Sequence, residues 1–187
     1  TAQVKKGDSV AVFGAGGVGL STIMGAAYAG AEKIISIDIV PEKSSMAKRL
    51  GATDFIISND DSINCIHSLT ENRGVDYALE AVGHPQLQEI AMEVVRPGGT
   101  LVLSGISPMG SKTNLSGAML TRQEKTVKGS YYGTSDANRD FIKYAHLYLG
   151  GKLPIDKMIS KLYSLEQVNI AYEDMMSGKS GRGIIRF

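Results

Sequence analysis

Short, wholly apolar runs alternate with helix-like segments from Ser9 to Ser107. Strands that are apolar throughout are buried on both faces, as in a parallel sheet with helices on both sides. The connections between such strands are expected to be right-handed crossovers. The alternation therefore predicts a doubly wound α/β fold of the Rossmann type. The predicted strands are SVAVF, KIISID, DFIIS, VDYALEAVG and TLVLSGIS.

The segments between these strands begin and end with helix signals. GVGLSTIMGAAYAG is predicted to be a helix that ends at Gly30, and PEKSSMAKRLG one that starts at Pro41. SINCIHSLTENRG is predicted to close at Gly74, and HPQLQEIAMEVVRPGG to stop at Pro97. Proline near a helix start and glycine after its end are the usual signals of helix limits.

The alternation loosens after Ser107. A polar loop with a short helix is expected there, then a sixth strand in TVKGSYYG and a helix capped by Ser135 or Asp136. A last helix starts at the cap Ser164 and stops at Gly178, and GRGIIRF is predicted to be a final strand that need not join the same sheet. We therefore predict a six-stranded Rossmann domain over residues 1–152 and a helix–strand tail over residues 153–187.

The composition is that of an ordinary globular chain. It has 187 residues, 43% hydrophobic and 21% charged, with a formal net charge of +1. Without a basic cluster, no nucleic-acid partner is indicated, and no apolar run is long enough to cross a membrane. The first residues lack the apolar core of a signal peptide. A single cysteine excludes an internal disulfide. A cytoplasmic location is therefore expected.

Three glycines between the first strand and the first helix form the pattern GxGxxG. Gly14 permits a tight turn out of the strand, and Gly16 lets a pyrophosphate approach the backbone. Gly19 allows the helix to pack closely on the sheet. The amides of Gly17 and Val18 then lie at the helix N-terminus, where free N–H groups and the helix dipole favour an anion.

Asp38 ends the second predicted strand and follows Gly19 by 19 residues. This is the position of the carboxylate that accepts hydrogen bonds from the adenosine ribose hydroxyls. A carboxylate there repels a 2′-phosphate, so NAD is favoured over NADP. The alternative is that the glycines serve close packing only and that Asp38 is a solvated strand end.

Six stretches, in this order and spacing, resemble the zinc-dependent alcohol dehydrogenases of the medium-chain dehydrogenase/reductase family. The resemblance extends over essentially the whole chain and implies a coenzyme-binding domain followed by a C-terminal tail. In that family, an intact enzyme transfers hydride between an alcohol or polyol and NAD. The stretches are KKGDSVAVFGAGGVGL, GAEKIISIDIVPEKSSMAKRLGATD, GVDYALEAVG, VRPGGTLVLSGI, KGSYYG and MMSGKSGRGIIRF.

The resemblance also implies further coenzyme contacts. Lys43 would reach the adenosine ribose, Arg182 the pyrophosphate, and the backbone of Ile106 and Tyr132 the nicotinamide carboxamide. Read from the residues alone, Lys43 could be an exposed helix lysine, Arg182 a surface charge and Tyr132 a core residue. Two further residues implied to line the coenzyme cleft are Ala81 and Val82.

The family's catalytic zinc ligands have no counterpart in this sequence. The resemblance places them upstream, in a catalytic domain that this chain is expected to lack, so the chain alone is predicted to be inactive. Cys65 and His67 are two residues apart, which puts them on different faces of a helix. His84 and His146 belong to no ligand pattern. No metal site and no catalytic residue are predicted.

Three other classes of protein share some of these features. A zinc-free quinone reductase usually prefers NADPH and lacks an acid at the position of Asp38. A methyltransferase would not account for SGKSGRGIIRF or for the full GxGxxG helix start. A free-standing NAD-binding or redox-sensing module stays open as an alternative. The family further implies a homo-oligomer in which the strands of TLVLSGIS and TVKGSYYG meet edge to edge. Without the catalytic domain, GRGIIRF would leave an apolar strand edge uncovered, so the isolated chain is predicted either to pair edges into a dimer or to reshape its tail.

Overall fold

Strands and helices alternate along the chain as the sequence predicts. The computed structural model describes residues 1–178 and 181–187; Lys179 and Ser180, which belong to the SGKSGRGIIRF stretch, lie outside the described residues. The first part contains β1 (Ser9–Phe13), α1 (Gly17–Ala29), β2 (Lys33–Asp38), α2 (Ser44–Arg49), β3 (Asp54–Ile57), α3 (Ser62–Leu69), β4 (Val75–Glu80), α4 (Pro85–Glu93), β5 (Val95–Leu103), α5 (Gly117–Arg122) and β6 (Thr126–Gly129). The second part contains α6 (Ala137–Leu149), β7 (Ile159–Ser164), α7 (Val168–Met176) and β8 (Arg182–Arg186).

The first six strands form one parallel sheet in the order β3-β2-β1-β4-β5-β6. Val10 of β1 lies beside Ile34 of β2 on one side and beside Tyr77 of β4 on the other. The direction of the chain across the sheet reverses between β1 and β4. In open parallel sheets, ligands bind outside the carboxyl ends of the strands at such a reversal. The doubly wound fold predicted from the sequence is confirmed.

The core lies on both faces of this sheet. Val10, Val12 and Ile34 pack on one face with α1 and α2, and Ala11 and Ile35 pack on the other with α3 and α4. Neighbouring residues of one strand therefore belong to different clusters, as the two-residue period of a strand requires. This double burial is why the strands are apolar throughout.

Two helices end earlier than the sequence predicts. The helix expected to reach Gly74 ends at Leu69, because Glu71 and Asn72 adopt left-handed backbone conformations with φ of 53° and 60°. The helix expected to stop at Pro97 ends at Glu93, and residues 95–99 already belong to β5. The pairing of Val95 with Val75 draws this apolar segment into the sheet. Both predicted limits were wrong, the first because the backbone turns after Leu69 and the second because β5 begins by pairing with β4.

The other predicted helix limits agree with the structure once two short 3-10 turns are included, Pro41–Lys43 ahead of α2 and Leu165–Gln167 ahead of α7. Gly30 follows α1 in a left-handed conformation and donates its N–H to Ala27 O. Of the two candidate caps of α6, Asp136 is the one whose side chain accepts the N–H of Asn138. Ser164 forms a capping box with Gln167 ahead of α7.

The C-terminal strands form a second sheet. β7 and β8 pair in parallel as a two-stranded sheet, so the final strand is separate from the main one. The predicted domain boundary between residues 152 and 153 stays a prediction. Leu153 and Met158 lie in the core cluster that includes Val10. Among the described residues, no helix is long and apolar enough to cross a membrane.

Candidate functional site

Three loops meet at the carboxyl edge of the sheet, where β1, β4 and β5 end. A Cβ added to Gly14 would lie 2.6 Å from Val82 Cγ2, and one added to Gly83 would lie 2.3 Å from Ile106 O. A Cβ on Gly105 would lie 2.0 Å from the nitrogen of Gly83. Glycine at these positions lets the loops after β1, β4 and β5 pack directly on one another.

The turn from β1 into α1 is tight and leaves no room for side chains on its inner side. Gly14 has a φ of 95° and donates its N–H to Ile37 O at 2.8 Å. A Cβ on Gly19 would lie 1.7 Å from Gly14 O. The start of α1 is therefore pressed onto the end of β1, as the glycine pattern predicts.

The outer side of the same turn is open. Nothing lies within 4 Å of a Cβ added to Gly16, the residue that precedes α1 in an extended conformation. Val18 is 55% exposed. The first N–H groups of a helix have no acceptor within the helix, so the amides of Gly17 and Val18 are available to a ligand. Their position suits an anion.

Arg182 brings a second positive charge to this point from the other end of the chain. A Cβ added to Gly17 would lie 2.6 Å from Arg182 Nη1. The guanidinium therefore rests on the first residue of α1, beside the positive end of the helix dipole. A cation and a helix N-terminus repel each other unless an anion lies between them. An anion such as a phosphate would relieve this repulsion.

The carboxylate of Asp38 is buried at the end of β2 and is held on several sides. Its Oδ2 accepts the N–H of Ala15 at 2.7 Å, and its Oδ1 accepts the N–H of Val40 at 2.9 Å. Lys43 Nζ donates to both oxygens, at 3.0 and 3.2 Å. Asp38 therefore lies beside the glycine turn, in an ion pair with Lys43.

A cavity of about 720 Å³ runs from the start of α1 toward the ends of β5 and β6. Ile106 is 77% exposed and Tyr132 is 80% exposed, so neither is a core residue. Ala81 and Val82 follow β4 beside the glycine turn, and Asp38 with Lys43 lies on the opposite side of it. Predicted residues that line this cavity are Gly17, Val18, Ile106, Tyr132 and Arg182.

Sequence reasoning missed two exposed isoleucines near Asp38. Ile39 directly follows Asp38 and is 75% exposed, and Ile57 ends the neighbouring strand β3 and is 49% exposed. Large exposed apolar side chains beside a polar site are typical of a ligand-binding surface, here one on which a flat apolar ring could pack. The available signal was an isoleucine directly after the strand-end aspartate.

Sequence reasoning also missed Glu80, the last residue of β4. Its side chain is fully buried, and its Oε1 accepts the N–H groups of Val82 and Gly83, both at 2.7 Å. Its backbone carbonyl accepts the N–H groups of Ser104 and Gly105. One residue therefore shapes the loops after both β4 and β5. The signal was an acidic residue at the end of an apolar strand.

The described residues do not fit a zinc site. Among residues 1–178 and 181–187, no three His, Cys, Asp or Glu side chains are grouped so that they could hold a metal ion. Burial and the nearby Asp61 raise the pKa of Cys65, which disfavours the thiolate that binds metals. No catalytic step through zinc is therefore assigned to these residues.

The fold and this carboxyl edge define a Rossmann-type α/β protein, and comparisons with known proteins agree. A model of the family described as zinc-binding dehydrogenase matches residues 17–148. The chain is 38% identical over 185 residues to an NDMA-dependent alcohol dehydrogenase of Amycolatopsis methanolica, covering 97% of this chain and 50% of the relative. It therefore belongs to the zinc-binding dehydrogenase family, as the sequence resemblance predicts.

Solved structures support the same assignment. Benzyl alcohol dehydrogenase from Acinetobacter calcoaceticus superimposes with a TM-score of 0.94 at 30% identity, over 100% of this chain and 51% of that one. An alcohol dehydrogenase zinc-binding domain protein from Burkholderia ambifaria gives a TM-score of 0.93 at 36% identity, over 100% and 50%. The chain spans about half the length of the curated relatives it matches.

Proposed function

We propose that this chain is the NAD(H)-binding part of a zinc-dependent alcohol dehydrogenase, an oxidoreductase that transfers hydride between an alcohol or polyol and NAD. The observation that carries the proposal is the contact of Arg182 with Gly17 at the open start of α1. Membership of the zinc-binding dehydrogenase family supports it. The printed names of the relatives, which are alcohol dehydrogenases, support the reaction class.

The pyrophosphate of the coenzyme would lie on the glycine turn. The amides of Gly17 and Val18 would donate to its oxygens, and Arg182 would neutralise its charge. The turn at Gly14 and the bare backbone at Gly16 give it access, since nothing occupies the space where a Cβ of Gly16 would lie. The helix dipole adds to the attraction.

The adenosine half would lie beyond the end of β2. The Asp38 carboxylate would accept hydrogen bonds from the ribose hydroxyls. Lys43, whose Nζ lies within 3.2 Å of both carboxylate oxygens, would contact the same ribose. A 2′-phosphate would meet the negative charge of Asp38, which favours NAD over NADP. Ile39 and Ile57 would give the adenine ring its apolar surface.

The nicotinamide half would lie toward the ends of β4 and β5. When bound, the nicotinamide ring supplies the hydride acceptor or donor of the reaction. The contribution of this chain is to orient that ring, through the cleft residues Ala81 and Val82 and the backbone of Ile106 and Tyr132. Orientation of bound reactants accounts for a large share of enzymatic rate enhancement.

Zinc and the alcohol would be bound by residues outside this chain. The described residues hold no group that fits zinc. We therefore propose that this chain alone binds NADH and oxidises no alcohol. We further propose a cytoplasmic enzyme that assembles as a homo-oligomer through the free edge of β6, which is one of the two edge strands of the main sheet. The expectation that TLVLSGIS also meets a partner at a sheet edge is wrong, because β5 pairs with β4 on one side and with β6 on the other.

A fluorescence titration with NADH and NADPH tests the proposal. Wild-type protein is expected to bind NADH, and to bind NADPH much more weakly. Arg182→Gln should weaken NADH binding about tenfold, because it removes a charged hydrogen-bond donor from the pyrophosphate. Arg186→Gln, a change of the same kind at the exposed end of the same strand, should bind NADH as wild type does.

Equal affinity for NADPH and NADH would contradict the role of Asp38. Equal binding by Arg182→Gln and Arg186→Gln would contradict the role of Arg182. No binding of either nucleotide by the folded wild-type chain would overturn the proposed function.

A further inference from the structure

We propose that Gln88 of α4 is a positioning residue that fixes the nicotinamide end of the coenzyme site by anchoring the loop between β5 and α5. This inference rests on the proposed function, since it concerns how the coenzyme is oriented. Gln88 does not reach the cavity. It acts through Glu80, Ser107 and Thr113.

The Gln88 amide bonds to the last residue of β4 and to two residues of the β5–α5 loop. The side chain is 3% exposed, although glutamine is usually found at the surface. Its Nε2 donates to Glu80 Oε2 at 3.2 Å and to Ser107 Oγ at 3.0 Å. Its Oε1 accepts the hydroxyl of Thr113. With Nε2 directed at Glu80 and Ser107, the amide oxygen is the atom left to accept from Thr113, which sets the direction of the network.

The network joins the two loops whose contact shapes the site. Glu80 holds the turn after β4 by accepting the N–H groups of Val82 and Gly83. Ser107 directly follows Ile106, whose carbonyl presses against Gly83. Gln88 is the one side chain that bonds both to Glu80 and to the β5–α5 loop in the described part of the chain.

The loop is anchored at its ends and free at its tip. Ser107 and Thr113 bond to Gln88, and the N–H of Asn114 donates to the side chain of Glu89 at 2.8 Å. Met109, between these anchors, is fully exposed. Two consecutive residues of α4 therefore bond to this loop, and the exposed Lys112 offers a point at which its opening can be measured.

The test compares variants that cut the network with matched variants that do not. Gln88→Leu removes both the amide nitrogen and the amide oxygen. Thr113→Val removes the hydroxyl that donates to Gln88 while keeping the shape of the side chain. Gln86→Leu, at an exposed position of the same helix, and Thr113→Ser, which keeps the hydroxyl, are the controls. Thermal melting establishes that each variant is folded.

Two readouts separate anchoring from coenzyme orientation. Trypsin cleavage after Lys112 is expected to be about fivefold faster in Gln88→Leu and Thr113→Val. NADH affinity should fall about fivefold in the same variants, while ADP-ribose, which lacks the nicotinamide, should bind as to wild type. Both controls should behave as wild type in both assays.

Each contrary outcome has a distinct meaning. Wild-type cleavage and NADH affinity in Gln88→Leu and Thr113→Val would overturn the inference. An equal loss of NADH and ADP-ribose in both would also overturn it, since that indicates a general structural role. If wild-type protein binds ADP-ribose and NADH not at all, the proposed function fails instead, and the trypsin assay alone decides whether Gln88 anchors the loop.

Discussion

The main sheet and the C-terminal β7–α7–β8 unit are held together by different kinds of contact. In the main sheet, the central strands are buried on both faces, and Ile35 is fully inaccessible. In the C-terminal unit, no residue of α7 is buried, and Leu162 of β7 is 57% exposed. Burial of apolar surface stabilises the first region, whereas local side-chain contacts hold the second.

The contacts of the C-terminal unit centre on Tyr163. Its ring is 3% exposed and packs on Gly183 of β8, where a Cβ would lie 2.8 Å from the ring. Its hydroxyl donates to Asp174 Oδ2 at 2.7 Å, and Lys161 pairs with the same oxygen at 2.8 Å. A single aromatic residue and one carboxylate thus join β7, α7 and β8. This small unit is what presents Arg182 to the start of α1.

The largest difference is expected from truncating one aliphatic side chain in each region. Ile35→Ala should lower the free energy of unfolding by about 4 kcal/mol, because it leaves a cavity in a closed core. Leu162→Ala should change it by less than about 0.5 kcal/mol. Urea unfolding followed by circular dichroism measures both. Equal losses in the two variants would show that the regions do not differ in this way.

The second prediction concerns Asp76, at the amino end of the main sheet. Burial alone would raise its pKa, but hydrogen bonds from Arg73, Ser9 and Arg96 outweigh burial and hold the pKa well below the usual aspartate range. The distances to Arg96 Nε and Arg73 Nη2 are 2.6 and 2.7 Å. Ionised Asp76 therefore joins β1, β4 and β5.

The sign of the pH dependence follows from the lowered pKa. The ionised form stabilises the fold above the ordinary aspartate pKa of about 4, and this contribution is lost as the pH falls further toward the lowered value. Asp76→Asn should be about 2 kcal/mol less stable than wild type at neutral pH and should lose less stability on acidification. Urea unfolding over a pH series measures this. Asp60→Asn, at an exposed loop position, is the control, and an unchanged acid slope in Asp76→Asn would contradict the prediction.

The contrast between the regions also explains what the sequence could predict. The patterns that indicate strand burial and the glycine turn consist of residues that are adjacent in the sequence. The doubly wound sheet and the position of Asp38 could therefore be predicted from local patterns. The start of β5 could not, because it depends on pairing with Val75, which is distant in sequence. The bonds of Gln88 to Glu80 and Thr113 were equally invisible, since no local pattern marks a buried amide. The approach of Arg182 to Gly17 came only from the family resemblance.

The smallest effect is expected from Asp174→Asn in the C-terminal unit. The ion pair with Lys161, and then the bond from Tyr163, lower the pKa of Asp174, but both Lys161 and Asp174 are well exposed to solvent. Asparagine retains an oxygen that can accept the hydroxyl of Tyr163, so the substitution removes the charge and little else. We expect a slightly lower unfolding midpoint in low salt and no difference from wild type in about 1 M NaCl, where exposed ion pairs are screened. A loss of stability that persists in high salt and matches that of Asp76→Asn would mean that the carboxylate, rather than the packing of Tyr163 on Gly183, holds the unit together.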